Sequence, residues 1–254
     1  MKVSATQRHI VLVTPVYHDT ERLSVFGPSL AQALKDSPLP VLWVVADDGS
    51  GDEESRRVQE LVEKFRKIHP EMEFFEKGEH LGKGGTVRSA WAAYPDADWL
   101  GFIDADGSVD GASIVNLMQK AHDAGPGHAI LASRKWDRET IVVQKPLRKL
   151  THRIFAAIAR NLLKLPVHDP QCGAKIIDAA AFRDVAPQLM ENGFAFDGEL
   201  LVALRRHAVE LIEVPVNWEE KGGGSVRAVA VAGPMLASLL RIRKRTHSGH
   251  YDPK

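Results

Sequence analysis

Two aspartates, Asp104 and Asp106, stand one residue apart directly after the apolar run 99–103. Carboxylates this close repel one another unless a cation neutralises them. A hard divalent ion such as Mg²⁺ or Mn²⁺ takes carboxylate oxygens and keeps positions open for the oxygens of a diphosphate. A solvated Asp-Gly turn has the same composition. Taken alone, the pair is therefore equally consistent with a metal and diphosphate site and with an acidic turn.

A second acidic pair, Asp47 and Asp48, ends the apolar run 41–46 and is followed by Gly49 and Ser50. A functional Asp47 would accept hydrogen bonds from a nucleotide base or ribose. The alternative is a turn that caps the acidic start of the next helix. The residues alone leave both interpretations open.

A glycine-rich segment at 82–85 opens a predicted helix that carries Lys83 and Arg88. Free backbone amides at a helix start favour a phosphate or another anion, and the two cations strengthen that preference. The segment is not a nucleotide-binding P-loop, because three residues rather than four separate Gly78 from Gly82. The first strand leads into no GxGxxG loop, which argues against a dinucleotide-binding dehydrogenase.

The second half of the chain holds further groups that could do chemistry. Cys172 has no evident base beside it, so we expect a small buried hydrophobe rather than a nucleophile. Asp197 and Glu199 lie where a helix begins. They either cap that helix or supply a base that faces the cleft.

Short apolar runs rich in β-branched residues predict the strands that position these groups. The predicted strands are 10–14, 41–46, 72–75, 99–103, 129–132, 174–177 and 211–216. Helical periodicity falls at 21–34, 53–68, 86–93, 114–122, 146–165 and 198–207. The alternation predicts a single α/β domain with a mostly parallel central sheet and helices on both faces. Ligands bind beyond the carboxyl ends of such strands, so 15–17, 47–50 and 104–108 should meet at one edge.

The composition of the 254 residues is that of a soluble globular protein, with 44% hydrophobic and 26% charged residues. We expect a main domain at 1–233 and a basic amphipathic segment at 234–254. The chain has 33 basic and 33 acidic residues, so it has no net charge that would attract nucleic acid. We therefore expect no nucleic acid as a partner. The single cysteine and the lack of a recognisable targeting peptide favour a cytoplasmic location.

Two predicted helices combine an apolar stripe with basic residues, one at 146–165 and one at 235–245. Such helices either lie on an anionic membrane surface or pack on the sheet with their charged edges in water. The longest mainly apolar stretch, 228–240, is too short to span a bilayer. We therefore expect peripheral contact with the inner face of a membrane at most.

Seven motifs follow one another in a recognisable order. They are DDGS at 47, GKGGTVRSA from 82, DADGS at 104, ASR at 132, DPQCGAKI from 169, FAFDGELL from 194 and EVPVNWEE from 213. In this order they resemble family 2 glycosyltransferases, in particular the branch that makes polyprenyl-phosphate sugars. The likeness is closer to dolichyl-phosphate glucosyltransferases than to dolichyl-phosphate mannose synthases. It extends from about Ile10 to Arg245 and implies a GT-A type domain.

The resemblance implies roles for single residues. Asp104 and Asp106 would bind the metal, Mg²⁺ or Mn²⁺, and the diphosphate of a nucleotide-sugar donor. Arg134 and Arg148 would bind the phosphate of a polyprenyl-phosphate acceptor, and Asp197 would shape the sugar pocket. The other predicted substrate contacts include the two cations of the glycine-rich helix start. These contacts are Pro15, Tyr17, Asp19, Asp47, Lys83, Arg88 and Gln171.

The chain departs from the family pattern at three places. His18-Asp19 replaces the usual Asn-Glu, which bears on the contacts to the base. Gly198 and Ala174 replace larger residues, which bears on the sugar pocket. The identity of the sugar is therefore less firmly implied than the reaction.

The implied reaction is the inverting transfer of a hexose, glucose from UDP-glucose, to a polyprenyl or dolichyl phosphate. A phosphate monoester has its second pKa near about 6, so it needs cations for positioning rather than a base. A soluble hydroxyl acceptor is the enzymatic alternative and would use Asp197 as base. A non-catalytic nucleotide-sugar binding protein is the alternative from another class, and Arg134 and Arg148 argue against it. GDP-mannose and UDP-N-acetylglucosamine stay open as donors.

Overall fold

The computed structural model describes residues 9–134, 140–143, 146–221 and 228–253, without the side chains of 146–154 and 228–232. The strands are β1 (Ile10–Val16), β2 (Val41–Asp47), β3 (Met72–Glu76), β4 (Trp99–Ile103), β5 (His128–Ser133), β6 (Val142–Val143), β7 (Ala174–Asp178), β8 (Glu210–Pro215) and β9 (Trp218–Glu219). The helices are α1 (Thr20–Lys35), α2 (Asp52–Arg66), α3 (Lys83–Ala92), α4 (Gly111–Ala124), α5 (Pro146–Leu163), α6 (Ala179–Val185), α7 (Phe196–Arg206) and α8 (Ala228–His247). A 3₁₀ turn, Ala186–Gln188, follows α6.

Seven strands form the central sheet, in the order β3-β2-β1-β4-β7-β5-β8. The pairings are parallel except those of β7, which runs antiparallel to both β4 and β5. The predicted mostly parallel α/β fold is therefore confirmed. Because β7 is reversed, it starts at the edge where β4 ends, with Ala174 opposite Ile103. The residues just before β7 are thereby brought beside Asp104.

Apolar side chains cover both faces of the sheet, as the uninterrupted apolar strands predicted. Val44 and Val45 of β2 are both fully buried, one in each of two core clusters. Helices α1, α2 and α4 pack on one face, and α3, α5, α6, α7 and α8 pack on the other. The site at the strand ends thus rests on a sheet that is held from both sides.

The strands that carry the three predicted site segments are neighbours. β1 lies between β2 and β4, and Val16 of β1 pairs with Asp47 of β2. Since these three strands are parallel, their carboxyl ends meet at one edge of the sheet. A small parallel pair, β6 with β9, lies beside that edge, and Trp218 of β9 bridges to Val109 in the loop after β4.

The C-terminal residues are part of the domain. Helix α8 begins at Ala228, so the boundary predicted between 233 and 234 falls inside a helix. Leu239, Ile242 and Tyr251 are fully buried in the same core cluster as α7. The apolar residues on the inner side of α8, among them Leu239 and Ile242, pack against the domain. Within the described ranges, none of the helices combines the length and the apolar composition that crossing a bilayer requires.

Candidate active site

A cleft of about 620 Å³ opens at the carboxyl ends of β1, β2 and β4. It brings together residues that are far apart in the sequence. The sequence-predicted residues that line it are Pro15, Tyr17, Asp19, Lys83, Asp104, Asp106, Arg134 and Gln171.

Asp104 and Asp106 lie at the centre of this cleft. The backbone N–H of Asp104 donates to Gly173 O at 2.9 Å, and a Cβ on Gly173 would lie only 2.0 Å from Asp104 Oδ2. Asp106 accepts a hydrogen bond from the N–H of Ser108 at 2.8 Å, across a turn in which Gly107 has a φ of 68°. Asp104 and Asp106 therefore lie in an acidic turn that is also the candidate metal site, so the two interpretations of the pair do not exclude one another.

The acidic pair fits a hard divalent ion by the chemistry of its donors. The side chains of Asp104 and Asp106 are 37% and 28% exposed, so their oxygens are open to the cleft. Among the described residues no group of three or more His, Cys, Asp or Glu is arranged to hold a metal. An ion on this pair would therefore complete its coordination with phosphate oxygens and water.

Lys83 connects Asp104 to a buried carboxylate. Its Nζ lies 2.8 Å from Asp104 Oδ1 and 3.3 Å from Asp197 Oδ2. Asp197 also accepts a 2.6 Å hydrogen bond from Lys175 Nζ, and Lys175 is fully buried. Lys175, Asp197, Lys83 and Asp104 thus form a row of alternating charges, which is buried at Lys175 and Asp197 and open to the cleft at Asp104. We call it the charge row.

The charge row favours the ionised forms of Asp197 and Lys83. Burial alone would raise the pKa of Asp197, but Lys175 and Lys83 lower that pKa by more. Burial alone would lower the pKa of Lys83, but Asp104 and Asp197 raise it well above its ordinary value. Asp197 is 2% exposed and is not among the cleft-lining residues of the described chain. This geometry disfavours the alternative in which Asp197 is the base for a hydroxyl acceptor, and it shows that Asp197 holds Lys83. Its predicted part in the sugar pocket stays a prediction.

At the end of β2 the cleft is lined by Asp48 rather than Asp47. The carboxylate of Asp47 is buried and accepts hydrogen bonds from the N–H and hydroxyl of Ser50, at 3.1 and 2.6 Å. Asp48 Oδ1 accepts from the N–H groups of Leu81 and Gly82, at 2.7 and 3.1 Å, and Asp48 lines the cleft. Asp47 does not line the described cleft, and its predicted nucleoside contact stays a prediction.

An aromatic pair forms one wall of the cleft. The rings of Tyr17 and His80 stack with centroids 4.1 Å apart and an interplanar angle of 29°. His80 Nδ1 lies 3.1 Å from the backbone oxygen of Asp48. Pro15 lines the same cleft. A flat, partly exposed stack beside a carboxylate suits a nucleobase. His80 was not predicted, because nothing around it in the sequence marks a site.

Asp19 is ion-paired with Arg22, a second cleft residue that the motifs did not reveal. Arg22 Nε donates to Asp19 Oδ1 at 2.5 Å, and Arg22 Nη1 lies 3.7 Å from Asp106 Oδ2. Asp19 and Arg22 are three residues apart at the start of α1, so their side chains lie on one face of the helix. This spacing is the sequence signal that could have revealed Arg22. Arg22 adds a cation beside the acidic pair.

Arg134 lies in the cleft and is held there by Asp169. Its guanidinium donates to both oxygens of Asp169, at 2.7 and 2.6 Å. It also lies over the ring of Trp218, 5.6 Å from the centroid. Trp218 is a further cleft residue that sequence reasoning did not single out. Gln171 lines the cleft with its amide nitrogen 3.8 Å from Met235 Sδ of α8.

One predicted cation, Arg88, does not line the described cleft. Arg88 donates to the carbonyl of Leu189 at 2.6 Å and to the side chain of Asn192. These bonds hold the segment before α7, and the predicted role of Arg88 in donor binding stays a prediction. The side chain of Arg148 lies outside the described residues.

The remaining candidates are structural. Cys172 is 1% exposed, and burial raises the pKa of its thiol to about 12, as expected of a small buried hydrophobe. Glu199 is fully buried rather than facing the cleft. A Cβ on Gly198 would meet Leu163 of α5 at 2.8 Å, and Ala174 is buried in β7. Neither Gly198 nor Ala174 lines the described cleft, so their predicted effect on the sugar pocket stays a prediction.

Residues 12–186 match the family model described as Glycosyl transferase family 2. The chain is 24% identical over 253 residues to a dolichyl-phosphate beta-glucosyltransferase of Saccharomyces cerevisiae, covering 94% of this chain and 75% of that protein. It is 26% identical to the enzyme of the same name from Homo sapiens, covering 95% and 77%. It is also 27% identical to glycosyltransferase AglD of Haloferax volcanii, covering 78% of this chain but only 31% of that protein's length.

The fold is shared with solved structures of glucosyl-3-phosphoglycerate synthase from Mycobacterium tuberculosis. One, in complex with Mn²⁺, UDP and glucosyl-3-phosphoglycerate, has a TM-score of 0.65 at 16% identity, covering 98% of this chain and 82% of that one. Another, in complex with Mg²⁺ and UDP, has the same TM-score, identity and coverage. At this identity the likeness shows a common GT-A type fold.

Proposed function

Because this chain belongs to glycosyl transferase family 2, we propose that it transfers glucose from UDP-glucose to a polyprenyl phosphate of the dolichyl type. The names of its relatives support a lipid-phosphate acceptor, and the titles of its structural neighbours support UDP and a divalent metal. One observation carries the choice of acceptor. The cleft offers fixed cations, while Asp197, the carboxylate that a hydroxyl acceptor would need, is ion-paired with two lysines.

The donor would lie along the edge formed by β2, β1 and β4. Its base would stack beside Tyr17 and His80, and its diphosphate would extend toward Asp104 and Asp106. A divalent ion, Mg²⁺ or Mn²⁺, held by the two aspartates would neutralise the charge on the departing diphosphate. Lys83 lies 2.8 Å from Asp104, where its ammonium adds to that neutralisation.

The acceptor phosphate would enter beside Arg134. An oxygen of the phosphate forms a bond to the anomeric carbon while the bond from that carbon to the diphosphate oxygen breaks. The bonding electrons leave with the nucleoside diphosphate, and the configuration at the sugar is inverted. No proton has to be removed, because a phosphate monoester is already ionised at neutral pH. The main task of the protein is to hold two anions together, and Arg134 and Lys83 serve that task.

The test is a transfer assay with purified protein and radiolabelled UDP-glucose. A short polyprenyl phosphate in detergent is compared with the same polyprenol lacking the phosphate, with Mg²⁺, Mn²⁺ or EDTA. GDP-mannose and UDP-N-acetylglucosamine serve as competing donors. Asp104→Asn should abolish transfer. Asp123→Asn, on an exposed carboxylate of α4, is the matched control and should leave transfer unchanged.

Label that enters the organic phase only with the phosphorylated lipid, and only with a metal, would support the proposal. Transfer to the polyprenol or to a soluble sugar would overturn the choice of acceptor. The absence of any nucleotide-sugar binding by calorimetry would overturn the function as a whole.

We also propose that α8 brings this chain to the cytoplasmic face of a membrane. Its outer side carries Leu236 and Leu240, which lie one turn apart and are 42% and 51% exposed. Arg243 and Lys244 follow on the exposed surface of the same helix. An exposed apolar strip with cations beside it suits an anionic lipid surface. Because Leu239 and Ile242 are buried, deleting α8 would damage the fold and is not a suitable test.

Vesicle co-sedimentation of a double variant tests the membrane proposal. Leu236→Glu with Leu240→Glu should reduce binding to vesicles containing phosphatidylserine. Val25→Glu, at a residue 79% exposed on α1, is the control and should bind like the wild type. Equal binding of all three proteins would remove α8 from the proposal.

A further inference from the structure

A buried glutamate joins the C-terminal part of the chain to the segment 189–194, which precedes α7. Glu199 is fully buried at the start of α7. Its Oε2 accepts hydrogen bonds from the N–H groups of Met190 and Glu191, at 2.8 and 2.6 Å. Its Oε1 accepts from Arg245 Nη1 at 2.7 Å and from the hydroxyl of Tyr251 at 2.6 Å. One carboxylate thus connects the segment and the C-terminal residues directly.

A second glutamate of the segment strengthens this connection. Glu191 accepts from Arg245 Nη2 and from Arg241 Nη2, each at 3.0 Å. Arg241 also donates to the hydroxyl of Ser238 at 2.6 Å, which holds it in place on α8. Two buried carboxylates and two arginines of α8 therefore form a single network. Hydrogen bonds of this kind, in which both partners are charged, are stronger than neutral ones.

The other side of segment 189–194 packs against the start of α3. The carbonyl of Asn192 accepts from the N–H of Gly85 at 3.0 Å, and Arg88 donates to the carbonyl of Leu189 at 2.6 Å. A Cβ on Gly82 would lie 2.8 Å from the carbonyl oxygen of Asn192. The glycine-rich start of α3 is therefore needed for the close approach of this segment, in addition to any phosphate binding.

Segment 189–194 also forms part of the cleft. Gly193 and Phe194 line it, and Phe194 is 40% exposed. Lys83, the first residue of α3, lies next to Gly82 and contacts Asp104 at 2.8 Å. The hydrogen-bond network that begins at α8 thus extends to two parts of the candidate donor site, segment 189–194 and the start of α3.

We infer that Glu199, Arg245 and Tyr251 are positioning residues for donor binding. They hold segment 189–194 against α3, so that Phe194 and Lys83 keep the places that the nucleoside diphosphate requires. The inference rests on the proposed function, since it takes the cleft as the donor site. The C-terminal residues then contribute to donor affinity although they do not touch the donor.

The test uses Tyr251→Phe in the full chain, because this change removes one hydroxyl and keeps the ring. Calorimetry with UDP and Mg²⁺ should show a dissociation constant raised roughly 3- to 10-fold, as expected when one of several hydrogen bonds that fix a segment is lost. The KM for the polyprenyl phosphate should stay the same. Glu199→Gln should raise the dissociation constant further.

Val62→Ala is the control for a purely structural effect. Val62 is fully buried in the core on the opposite face of the sheet, so its truncation should lower the melting temperature without changing UDP affinity. Tyr251→Phe with a lowered melting temperature but unchanged UDP affinity would overturn the inference, even if Glu199→Gln does not fold. If the wild type itself bound no UDP, the proposed function would fail first and the inference with it.

Discussion

Replacing Asp197 by asparagine would remove the central negative charge of the charge row. Asp197 lies between Lys175, which is fully buried, and Lys83, whose side chain is 10% exposed. Breaking a buried ion pair by removing one partner costs about 3–5 kcal/mol, because the remaining charge stays buried without compensation. The whole domain is expected to be stable by roughly 5–15 kcal/mol. The single substitution should therefore shift the unfolding midpoint strongly.

Asp197→Asn should lower the free energy of unfolding strongly but should affect turnover per folded molecule much less. Lys83 keeps its ion pair with Asp104, and an ionised acceptor phosphate needs no base. We expect turnover per folded molecule to fall well short of the roughly 10²- to 10⁴-fold loss that removing a general base causes. The assay is urea unfolding followed by transfer kinetics at saturating donor, corrected for the folded fraction.

Two further variants make this prediction sharp. Lys175→Met combined with Asp197→Asn removes one charge of each sign and should recover most of the lost stability. Asp178→Asn changes another buried carboxylate, which accepts from Ala180 and Gly127 outside the site, and serves as the control for carboxylate loss. If Asp197→Asn left donor affinity unchanged but slowed turnover by about 10²-fold or more, as the loss of a base does, the reasoning would be refuted and a hydroxyl acceptor supported.

Three more predictions follow from single sites. Gly173→Ala should weaken Mn²⁺ binding and transfer, because the added Cβ would lie 2.0 Å from Asp104 Oδ2; Mn²⁺ titration measures this. Cys172 should resist alkylation in the folded protein, because burial raises the pKa of its thiol to about 12; iodoacetamide should label it fully only after unfolding. Burial alone would raise the pKa of Glu191, but Arg241, Ser238 and Arg245 together lower that pKa below its ordinary value of 4.5. Its stabilisation should therefore be present above pH 4.5 and be lost on acidification, and Glu191→Gln should flatten the acid side of the curve of melting temperature against pH.

Each of these predictions has a contrary outcome. Wild-type Mn²⁺ affinity in Gly173→Ala would mean that Asp104 does not bind the metal. Rapid labelling of Cys172 in the native state would mean that the cleft edge opens. Parallel pH curves for Glu191→Gln and the wild type would mean that Glu191 is not ion-paired in solution.

Most of the fold was predictable from the sequence, because strands and helices are marked by local patterns. The runs at 10–14, 41–46 and 99–103 each became a strand that differs from the prediction by two residues or fewer. The reversal of β7 and the burial of α8 were not predictable in this way. The direction of β7 depends on the end at which the chain enters the sheet, and the burial of α8 depends on its packing against α5 and α7.

The candidate site was predictable where a residue follows directly after a strand. Asp104, Asp106 and Tyr17 line the cleft for that reason, and Pro15 lines it from the end of β1. Side chains within helices were less predictable. Arg88 does not line the described cleft, and its hydrogen-bond partners belong to a segment about 100 residues further along the chain.

By itself, the sequence determined that an acidic pair ends a buried strand and that this strand lies in a parallel sheet. Both follow from the order of apolar and polar residues, which acts over a few positions. Only the tertiary structure decided the partners of these groups: Lys83 with both Asp104 and Asp197, and Asp48 rather than Asp47 in the cleft wall. Such pairings join residues far apart in the chain, so they depend on packing and burial rather than on local preference.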